Sequence, residues 1–470
     1  MKRFLTTIAL LMSAAAAFCA DKPWSHGALT LTPDSMYFQH SDGTPFFYLA
    51  DTGWLLPERL DRDEAAFYLE RAARAGFNVV QVQTINGVPA FNTYGAMSHP
   101  DGWDFSNIDR QGTYGYWDHM DYIIDTAGRN GIYIGMVCIW GGLVKAGLMD
   151  VDQARAYGEF LAHRYKDRPN IIWIIGGDIP GDVKTEVWDT LARTIKANDP
   201  SHLMTFHPRG RYTSAQWFAD REWMDFHMYQ SGHRRYDQRK GDRNYPIPDG
   251  TEEDCWMYVD STRVHSPRKP VVDGEPSYEA IPMGLHDADE PRWTDRDVRR
   301  YAYWDVFGGC AGHAYGHNAI MQFARPGTAG AYHLDTDSLP WWRALDSGGF
   351  NQMRHLKALM LAVPFTTGRP AQDLVSDNGT RHDRLAATAG DGYAMIYDHT
   401  GRPIHTTAGD GANVWWMDAA SGDLTPLGFR KGNFTYTPDP AMADGVLILI
   451  TPSAGYIPEG AKNIHEIKTH

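Results

Sequence analysis

The sequence lacks any tract of clustered basic residues. Its 470 residues carry a formal net charge of −14, and the charges are spread along the chain. Binding to nucleic acid relies on grouped Lys and Arg side chains that neutralise phosphates. We therefore expect no nucleic-acid partner, whereas a neutral or weakly anionic ligand, which needs only local positive charge, stays compatible with the composition.

Cysteine is also scarce, and the motifs of several enzyme classes are missing. Beyond the N-terminal leader only Cys138, Cys255 and Cys310 remain, an odd number at distant positions. This pattern predicts buried thiols and leaves a single disulfide open. Because no cysteine lies beside histidines at metal-ligand spacing, and the chain has no phosphate loop and no Gly-x-Ser-x-Gly elbow, we expect no metal and no cofactor.

Apolar runs long enough to cross a membrane are absent from the predicted mature chain. The N-terminus, "MKRFLTTIALLMSAAAAFCADKPW", has two basic residues, a short apolar run and then small residues. This is the pattern of a secretory signal peptide, which we place at residues 1–20. We expect a secreted or periplasmic protein without a transmembrane segment. Lipidation at Cys19 is disfavoured by the preceding Phe18, and the oligomeric state stays open.

Eight buried apolar runs alternate with amphipathic stretches between residues 21 and 365. The runs are "PFFYLADTGW", "FNVVQVQTI", "IYIGMVCIWGG", "NIIWIIGGD", "HLMTFHPRG", "MDFHMYQSG", "KPVVDGEPSYE" and "GCAGHAYGHN". Near-continuous apolar strands alternating with helices predict a (β/α)8 TIM barrel, preceded by short strands around an Asp-Gly turn. A doubly wound open sheet is the alternative, but no Gly-rich turn follows the first strand. The weakest element is the fifth helix, near "SAQWFADREW".

The pattern changes near residue 365, where helical periodicity stops. Short strand-like runs such as "RLAATAG", "GYAMIYDHTG" and "GVLILITPS" follow, separated by Gly and Asp turns. They predict an all-β sandwich at residues 366–463, followed by a tail at 464–470. We expect this domain to pack on the barrel and to add rigidity more than chemistry.

Carboxylates end two of the eight runs, Asp178 the fourth and Glu275 the seventh. Active sites of such barrels lie at the C-terminal ends of the strands, so the other run ends are candidates for binding substrate. Those candidates are Asp51, Trp54, Gln83, Trp140, His207, Arg209, His227, Tyr229, Tyr315 and Asn318, with Asn86 and His317 beside them.

Two carboxylates among aromatic and polar side chains indicate glycoside hydrolysis. One acid protonates the leaving oxygen, while the second attacks the anomeric carbon or activates water. Burial and the neighbouring charge raise the pKa of the acid so that it stays protonated. Each residue also has a purely structural interpretation. Asp178 would cap the next helix, Glu275 would hold an ion pair, and Arg209 would be a loop charge rather than a partner for a substrate carboxylate. We expect Asp273 to be a buried hydrogen-bond acceptor and Glu279 to be solvated.

Several of the same segments carry a family resemblance. "GTPFFYLADTGW", "GFNVVQVQ", "NIIWIIGGDIPG", "KPVVDGEPSYE" and "GHAYGHN" resemble the DUF4038 group of glycoside hydrolases. That group includes glycoside hydrolase family 140, the apiosidases acting on rhamnogalacturonan II, and the resemblance covers most of residues 27–365. "VWWMDAASGDLTPLG" resembles the β-sandwich labelled a collagen-binding domain, a label that is not evidence of collagen binding.

The resemblance implies a retaining glycosidase acting on plant cell-wall pectin, with Asp178 as acid/base and Glu275 as nucleophile. The residues alone do not separate this from an inverting site, in which the carboxyls lie about 6.5–9.5 Å apart instead of about 5–5.5 Å. Barrel glycosidases commonly have Asn-Glu where this chain has Gly177-Asp178. The difference fits a sugar of another shape, such as a branched furanose.

Two alternative functions stay open at this point. One is a lyase or esterase that uses Tyr and His on the same barrel, and an unsaturated product would reveal a lyase. The other is a non-catalytic carbohydrate-binding or adhesion protein, against which the presence of both acids argues.

Overall fold

The computed structural model describes residues 22–106, 114–238, 244–327 and 339–456. The predicted signal peptide and the tail at 464–470 lie outside these ranges. Within them, no helix has both the length and the apolar content that a bilayer span requires.

A small antiparallel sheet precedes the barrel. It contains β1 (Leu29–Leu31), β2 (Phe38–His40) and β3 (Pro45–Phe46). The predicted turn between β2 and β3 is present, because Gly43 adopts a φ of +91° and the Thr44 amide donates to Asp42. A positive φ is available to glycine at little cost, which explains the residue at this position.

Eight parallel strands form the barrel, and they are almost completely buried. They are β4 (Tyr48–Thr52), β5 (Val79–Gln83), β6 (Tyr133–Val137), β7 (Ile171–Ile179), β8 (Met204–Pro208), β10 (His227–Gln230), β11 (Val271–Asp273) and β12 (Gly312–Tyr315). Each falls in one of the eight apolar runs, and only β7 extends past its run, by the single residue Ile179. Of all residues in these strands, Asp178 alone is exposed.

The strands pair in the order β8-β7-β6-β5-β4-β12-β11-β10, with β9 (Tyr212–Thr213) added antiparallel to β10. Among the described residues, β8 and β10 share no ladder, but the Asp225 amide donates to the Met204 carbonyl at 2.9 Å across the gap. The predicted fifth helix is here a single turn, because β9 occupies part of the connection. The (β/α)8 fold class is confirmed.

Helices cover the barrel, and several begin at polar capping residues. They are α1 (Leu56–Arg59), α2 (Arg62–Arg74), α3 (Tyr116–Arg129), α4 (Gly141–Lys145), α5 (Val151–Tyr165), α6 (Thr185–Asn198), α7 (Ala215–Phe218), α8 (Trp256–Arg263), α9 (Asp295–Phe307), α10 (Asn318–Met321), α11 (Trp341–Ala344) and α12 (Gly348–Leu361). Asp61, Asp150 and Thr294 each form a capping box at the start of a helix. Such boxes satisfy backbone amides that have no partner within the helix.

The C-terminal domain is a β-sandwich. A six-stranded antiparallel sheet has the order β13-β14-β15-β20-β17-β18, and β16 pairs with β19 separately. The strands are β13 (Arg369–Pro370), β14 (Ala386–Gly390), β15 (Tyr393–Asp398), β16 (Ile404–Thr407), β17 (Ala412–Asp418), β18 (Leu424–Arg430), β19 (Asn433–Tyr436) and β20 (Gly445–Ile450). Ile396, Ile404, Trp416 and Leu447 lie in the core of the domain.

The sandwich packs directly on α9 of the barrel. Arg299 of α9 pairs with Asp444 at 2.8 Å, and the rings of Tyr303 and Tyr397 stack with centroids 4.6 Å apart. Because both partners of the ion pair are largely buried, the two domains share a packed interface.

Candidate active site

A bulge at the end of β7 explains why a buried strand presents an acid to solvent. Gly176 pairs with His207 and Ile179 pairs with Pro208, so Gly177 and Asp178 have no counterparts on β8. The φ angles of Gly176, Gly177 and Asp178 are +86°, +119° and +47°. Bulges of this kind change the direction of a side chain, and Asp tolerates the left-handed conformation better than most residues. The bulge thus turns the carboxyl of Asp178 out of the strand.

The bulge is packed tightly against Trp140. A Cβ atom placed on Gly177 would lie 2.7 Å from Trp140 Cε3, and one on Gly141 would lie 2.5 Å from the Gly177 carbonyl oxygen. Only glycine leaves room for these contacts. The two glycines therefore fix the indole of Trp140 beside Asp178.

Asp178 combines solvent access with an enclosed setting. Its side chain opens into a cavity, while the Gly210 amide donates to its Oδ1 at 3.4 Å. The surrounding protein disfavours the charged form, and the negative charge of Glu275 adds to this, so the pKa of Asp178 rises to about 6. Asp178 is not a helix cap, because the next helix begins after Lys184.

Glu275 follows β11 and is held by two imidazoles. Its Oε1 lies 3.1 Å from His233 Nε2, and its Oε2 lies 3.3 Å from His207 Nε2. Burial by itself raises the pKa of this carboxyl, but the interactions with His207 and His233 outweigh burial and lower the pKa to about 2. Glu275 is therefore ionised at neutral pH.

His207 bridges the two acids. The backbone amide of Asp178 donates to His207 Nδ1 at 3.3 Å, which leaves the proton of the neutral ring on Nε2, facing Glu275. The Nε2 to Oε2 contact lies outside normal hydrogen-bond geometry. One fully buried ring thus touches the backbone of one acid and the carboxylate of the other.

The two acids open into one cavity of about 270 Å³. Trp54, Trp140 and Tyr278 provide aromatic surface on its walls, and the Trp54 indole donates to the Tyr278 hydroxyl at 3.0 Å. Flat aromatic faces suit the C–H faces of a sugar ring. The remaining polar lining includes the side-chain amides of Gln83, Asn86, Gln230 and Gln322.

The structure brings six of the sequence candidates together. Asp178, Glu275, Trp54, Gln83 and Trp140 line the cavity, as does the neighbouring Asn86. His207, a seventh, lies beneath it in contact with both acids. These residues come from the C-terminal ends of different strands, the position that the barrel architecture predicts.

Four other candidates are buried away from the cavity. The carboxyl of Asp51 accepts from Tyr68 at 2.6 Å, and the hydroxyls of Tyr229 and Tyr315 donate to Asp305 and Glu279. Successive strand residues point to opposite faces, so a residue near a strand end need not face the interior. His227 is the first residue of β10 and therefore lies at the opposite end of the barrel.

Two further candidates lie at the edge of the site without lining the cavity. The Asn318 amide donates to the Ala280 carbonyl at 3.3 Å, and Arg209 is exposed on the loop after β8. His317 caps α10 by accepting from the Ala319 amide at 3.0 Å. The positive charge of Arg209 is close enough to Asp178 to lower the pKa of that carboxyl slightly.

The expectation that Glu279 is solvated is wrong. Its side chain is 9% exposed and accepts from the Tyr315 hydroxyl at 2.6 Å, because the chain after Glu275 returns toward the barrel. Asp273 is buried as expected and accepts from the Glu275 amide at 3.2 Å.

Gln230, His233 and Tyr278 are cavity residues that sequence reasoning missed. β10 ends at Gln230 rather than at Tyr229, so the chain continues into the site one residue later than expected. The polar segment "QSGHRR" directly after that strand is a signal that would have found His233.

The described ranges contain no group of three or more His, Cys, Asp or Glu side chains that would hold a metal ion. Cys138, Cys255 and Cys310 are buried free thiols.

Comparison with known proteins identifies the family of each domain. Residues 32–367 match the family model described as "Apiosidase-like, catalytic domain", and residues 370–450 match a family described as a collagen-binding domain of a collagenase. No curated protein matches the chain.

Solved structures extend the likeness over nearly the whole chain. A glycoside hydrolase family 5 protein from Bacteroides vulgatus is 52% identical, with a TM-score of 0.91 over 93% of this chain and 96% of that one. A second structure, described as a glycoside hydrolase, is 54% identical, with a TM-score of 0.90 over 93% of this chain and 100% of that one. This chain belongs to the apiosidase-like catalytic domain family and is a glycoside hydrolase of the TIM-barrel type.

Proposed function

We propose that this protein is a retaining glycoside hydrolase in which Glu275 is the nucleophile and Asp178 the acid/base. The observation that carries the proposal is a pair of carboxyls at one cavity whose pKa values shift in opposite directions. The pKa of Asp178 rises to about 6, whereas that of Glu275 falls to about 2. Pairs of acids separated in this way have distinct proton-transfer roles, because one is protonated and the other ionised at pH values between the two pKa values.

The first step forms a covalent bond between Glu275 and the sugar. The ionised carboxylate attacks the anomeric carbon while Asp178 donates its proton to the departing glycosidic oxygen. His233 and His207 hold Glu275 ionised before attack. As negative charge leaves Glu275, the Coulombic cost of ionising Asp178 falls, so the loss of the Asp178 proton becomes easier.

The second step releases the sugar. Asp178, now ionised, removes a proton from a water molecule that attacks the anomeric carbon, and the bond to Glu275 breaks. Each of the two substitutions inverts the configuration at the anomeric carbon. The product therefore keeps the configuration of the substrate. Trp54 and Trp140 would provide a face for the ring, and Gln83 and Gln230 would bind its hydroxyls.

We propose a pectic substrate with an apiose linkage, as in rhamnogalacturonan II. The family description supports this choice, and so does Gly177-Asp178 at a position where barrel glycosidases commonly have Asn-Glu. Exposed Arg209 near the site fits a polymer that carries carboxylates. Export by a signal peptide at residues 1–20 would deliver the enzyme to such a polymer.

The test is a panel of pectic and hemicellulosic oligosaccharides incubated with the purified protein. Proton NMR of the first product determines its anomeric configuration, and an unsaturated product would indicate a lyase instead. We expect cleavage of an apiose-containing oligosaccharide with retention. Inversion contradicts the role of Glu275, and cleavage of hemicellulose alone contradicts the substrate.

Matched variants test the two acids. We expect Glu275→Gln and Asp178→Asn to lower kcat by about 100- to 10,000-fold or more while substrate binding persists. Glu279→Gln and Asp182→Asn are the controls, because they place the same changes on the same two segments outside the cavity lining. Equal turnover by the acid variants and the parent would refute catalysis by this pair.

A further inference from the structure

A second cavity, of about 200 Å³, lies at the amino-terminal end of the barrel strands. His227, the first residue of β10, lines it, and so does Lys269, which precedes β11. Gln230, at the other end of β10, lines the catalytic cavity. The two cavities therefore lie at opposite ends of the same barrel.

This second cavity is lined by positive charge. Arg263, Arg268, Lys269 and Arg369 contribute four cationic side chains, His265 also lines it, and none of the lining residues is a carboxylate. Such a cluster is notable in a protein with a net charge of −14. Like charges that converge on one concave surface repel each other and raise the local concentration of anions.

Some of these cations already have partners outside the cavity. Arg369 pairs with Asp34, and Lys269 donates to the carbonyl oxygens of Ala219 and Arg221. Arg268 is exposed and forms no ion pair with any residue that the structure describes. Its guanidinium group is therefore available to a ligand.

His227 adds a buried imidazole to the cavity. Its Nδ1 lies 3.4 Å from Ser214 Oγ, which also accepts from the Met228 amide at 3.1 Å. The other ring nitrogen, Nε2, is buried and has no partner among the described residues. The Nε of Arg263 is buried and unpartnered as well. A buried donor without a partner destabilises the folded state, and a bound acceptor would remove that penalty.

We propose that this cavity binds a small oxyanion, either free phosphate or the carboxylate of an acidic sugar. The guanidinium groups of Arg263 and Arg268 supply the donors. Met36, in the loop between β1 and β2, and Arg369 from β13 complete the lining. A bound anion would link the N-terminal sheet, the barrel and the C-terminal domain.

The test is calorimetric titration and thermal unfolding with inorganic phosphate and with D-galacturonate, using D-galactose as the neutral control. We expect one of the anions to bind and to raise Tm, because a ligand that binds only the folded state stabilises it. Binding should weaken as NaCl rises. Binding of phosphate alone would identify a free inorganic anion as the ligand. Binding of galacturonate would identify the carboxylate of a saccharide. No binding of either at millimolar concentration overturns the proposal.

Substitutions locate the anion. Arg268→Gln removes an exposed side chain and should reduce affinity about tenfold or more, which corresponds to about 1.4 kcal/mol. Arg430→Gln, an exposed arginine on β18 away from the cavity, should bind as the parent does. Turnover at the catalytic cavity should be unchanged in both. Unchanged affinity in Arg268→Gln, or an equal loss in Arg430→Gln, overturns the proposal.

Discussion

Single residues set the charge state of the proposed catalytic cavity. His233 and His207 keep Glu275 ionised, and burial with the nearby charge of Glu275 keeps Asp178 protonated up to about pH 6. The proposed mechanism requires one acid charged and the other neutral, a state that exists between the two pKa values.

The pH dependence of kcat/KM tests this arrangement. We expect activity to fall above about pH 6 as Asp178 loses its proton, and to fall again toward about pH 2 as Glu275 gains one. His233→Asn removes an interaction that lowers the pKa of Glu275, so the acid limb should move up by about one pH unit or more. His405→Asn, in the sandwich, is the control. An unmoved acid limb in His233→Asn would contradict the role of the imidazole.

The raised pKa of Glu279 predicts that the free energy of unfolding depends on pH. Burial is the main cause that raises its folded pKa from 4.5 to about 7. A raised carboxyl pKa means that ionisation costs the folded state more than the unfolded one, so the penalty grows as pH rises from 4.5 to about 7.

Glu279→Gln keeps an acceptor for Tyr315 and removes that penalty. We expect it to raise the free energy of unfolding more at about pH 8 than at about pH 5, by a difference on the order of 1–3 kcal/mol. Denaturant unfolding at both pH values measures this. Equal effects at the two pH values would show that Glu279 ionises normally in the fold.

The sequence identified the two strand-end acids but not all of their partners. Asp178 and Glu275 end apolar runs, which a linear pattern reveals. His233 and Tyr278 lie on loops, and their approach to the cavity depends on loop conformation. Tyr229 and Tyr315 lie at or next to strand ends, but their side chains point away from the cavity. A shift of one residue along a strand moves a side chain to the other face of the sheet, and the sequence pattern did not resolve that shift.

Among the elements, the bulge in β7 has the most direct effect on the site. Gly176, Gly177 and Asp178 all have positive φ. In a regular strand, the side chain of Asp178 would follow the alternation of side chains between the two faces of the sheet. The irregular backbone is therefore what presents the acid to the cavity.

Gly177→Ala should disrupt this element. The new Cβ would meet Trp140 at 2.7 Å in a conformation with φ of +119°. We expect a loss of about 1–3 kcal/mol in unfolding free energy, together with a clear fall in kcat as Asp178 and Trp140 move. Gly43→Ala is the control, since φ there is +91° with nothing within 4 Å of the added atom. Gly43→Ala should lower the free energy of unfolding without changing kcat. Equal kcat values in the two variants would refute the role of the bulge.

Elements with strong apolar patterns were predictable, and short polar ones were not. All eight barrel strands coincide with the runs identified from the sequence, to within one residue at the end of β7. The strands β16 ("IHTT") and β19 ("NFTY") were missed, because each is short and partly polar and is defined by pairing with the other. The β8–β10 connection was the weakest prediction and contains a one-turn helix.

At the scale of the whole molecule, the sandwich and the barrel share polar contacts that are shielded from water. Arg299 donates to Asp444 and Asp295, and the Tyr397 hydroxyl donates to Asp444 at 2.7 Å. Removing one partner of an ion pair that is shielded from water leaves the charge of the other partner buried without a full counter-charge. The two domains should therefore unfold together.

Asp444→Ala tests this coupling. We expect unfolding free energy to fall by about 1–4 kcal/mol, less than for an isolated buried pair because Arg299 keeps Asp295. Scanning calorimetry should still show one transition at a lower Tm, and kcat well below that temperature should be unchanged. Asp423→Ala, at the start of β18, should have little effect. Two separate transitions in the parent would contradict the shared interface.

The proposed mechanism depends most on the covalent bond between Glu275 and the sugar. Asp178→Asn, incubated with an aryl glycoside of the released sugar, should accumulate this intermediate, because the leaving group needs no acid while the second step lacks its base. Peptide mapping by mass spectrometry is the most direct measurement. We expect the added mass of one sugar residue on the peptide that contains Glu275. An adduct on another residue would show that Glu275 is not the nucleophile.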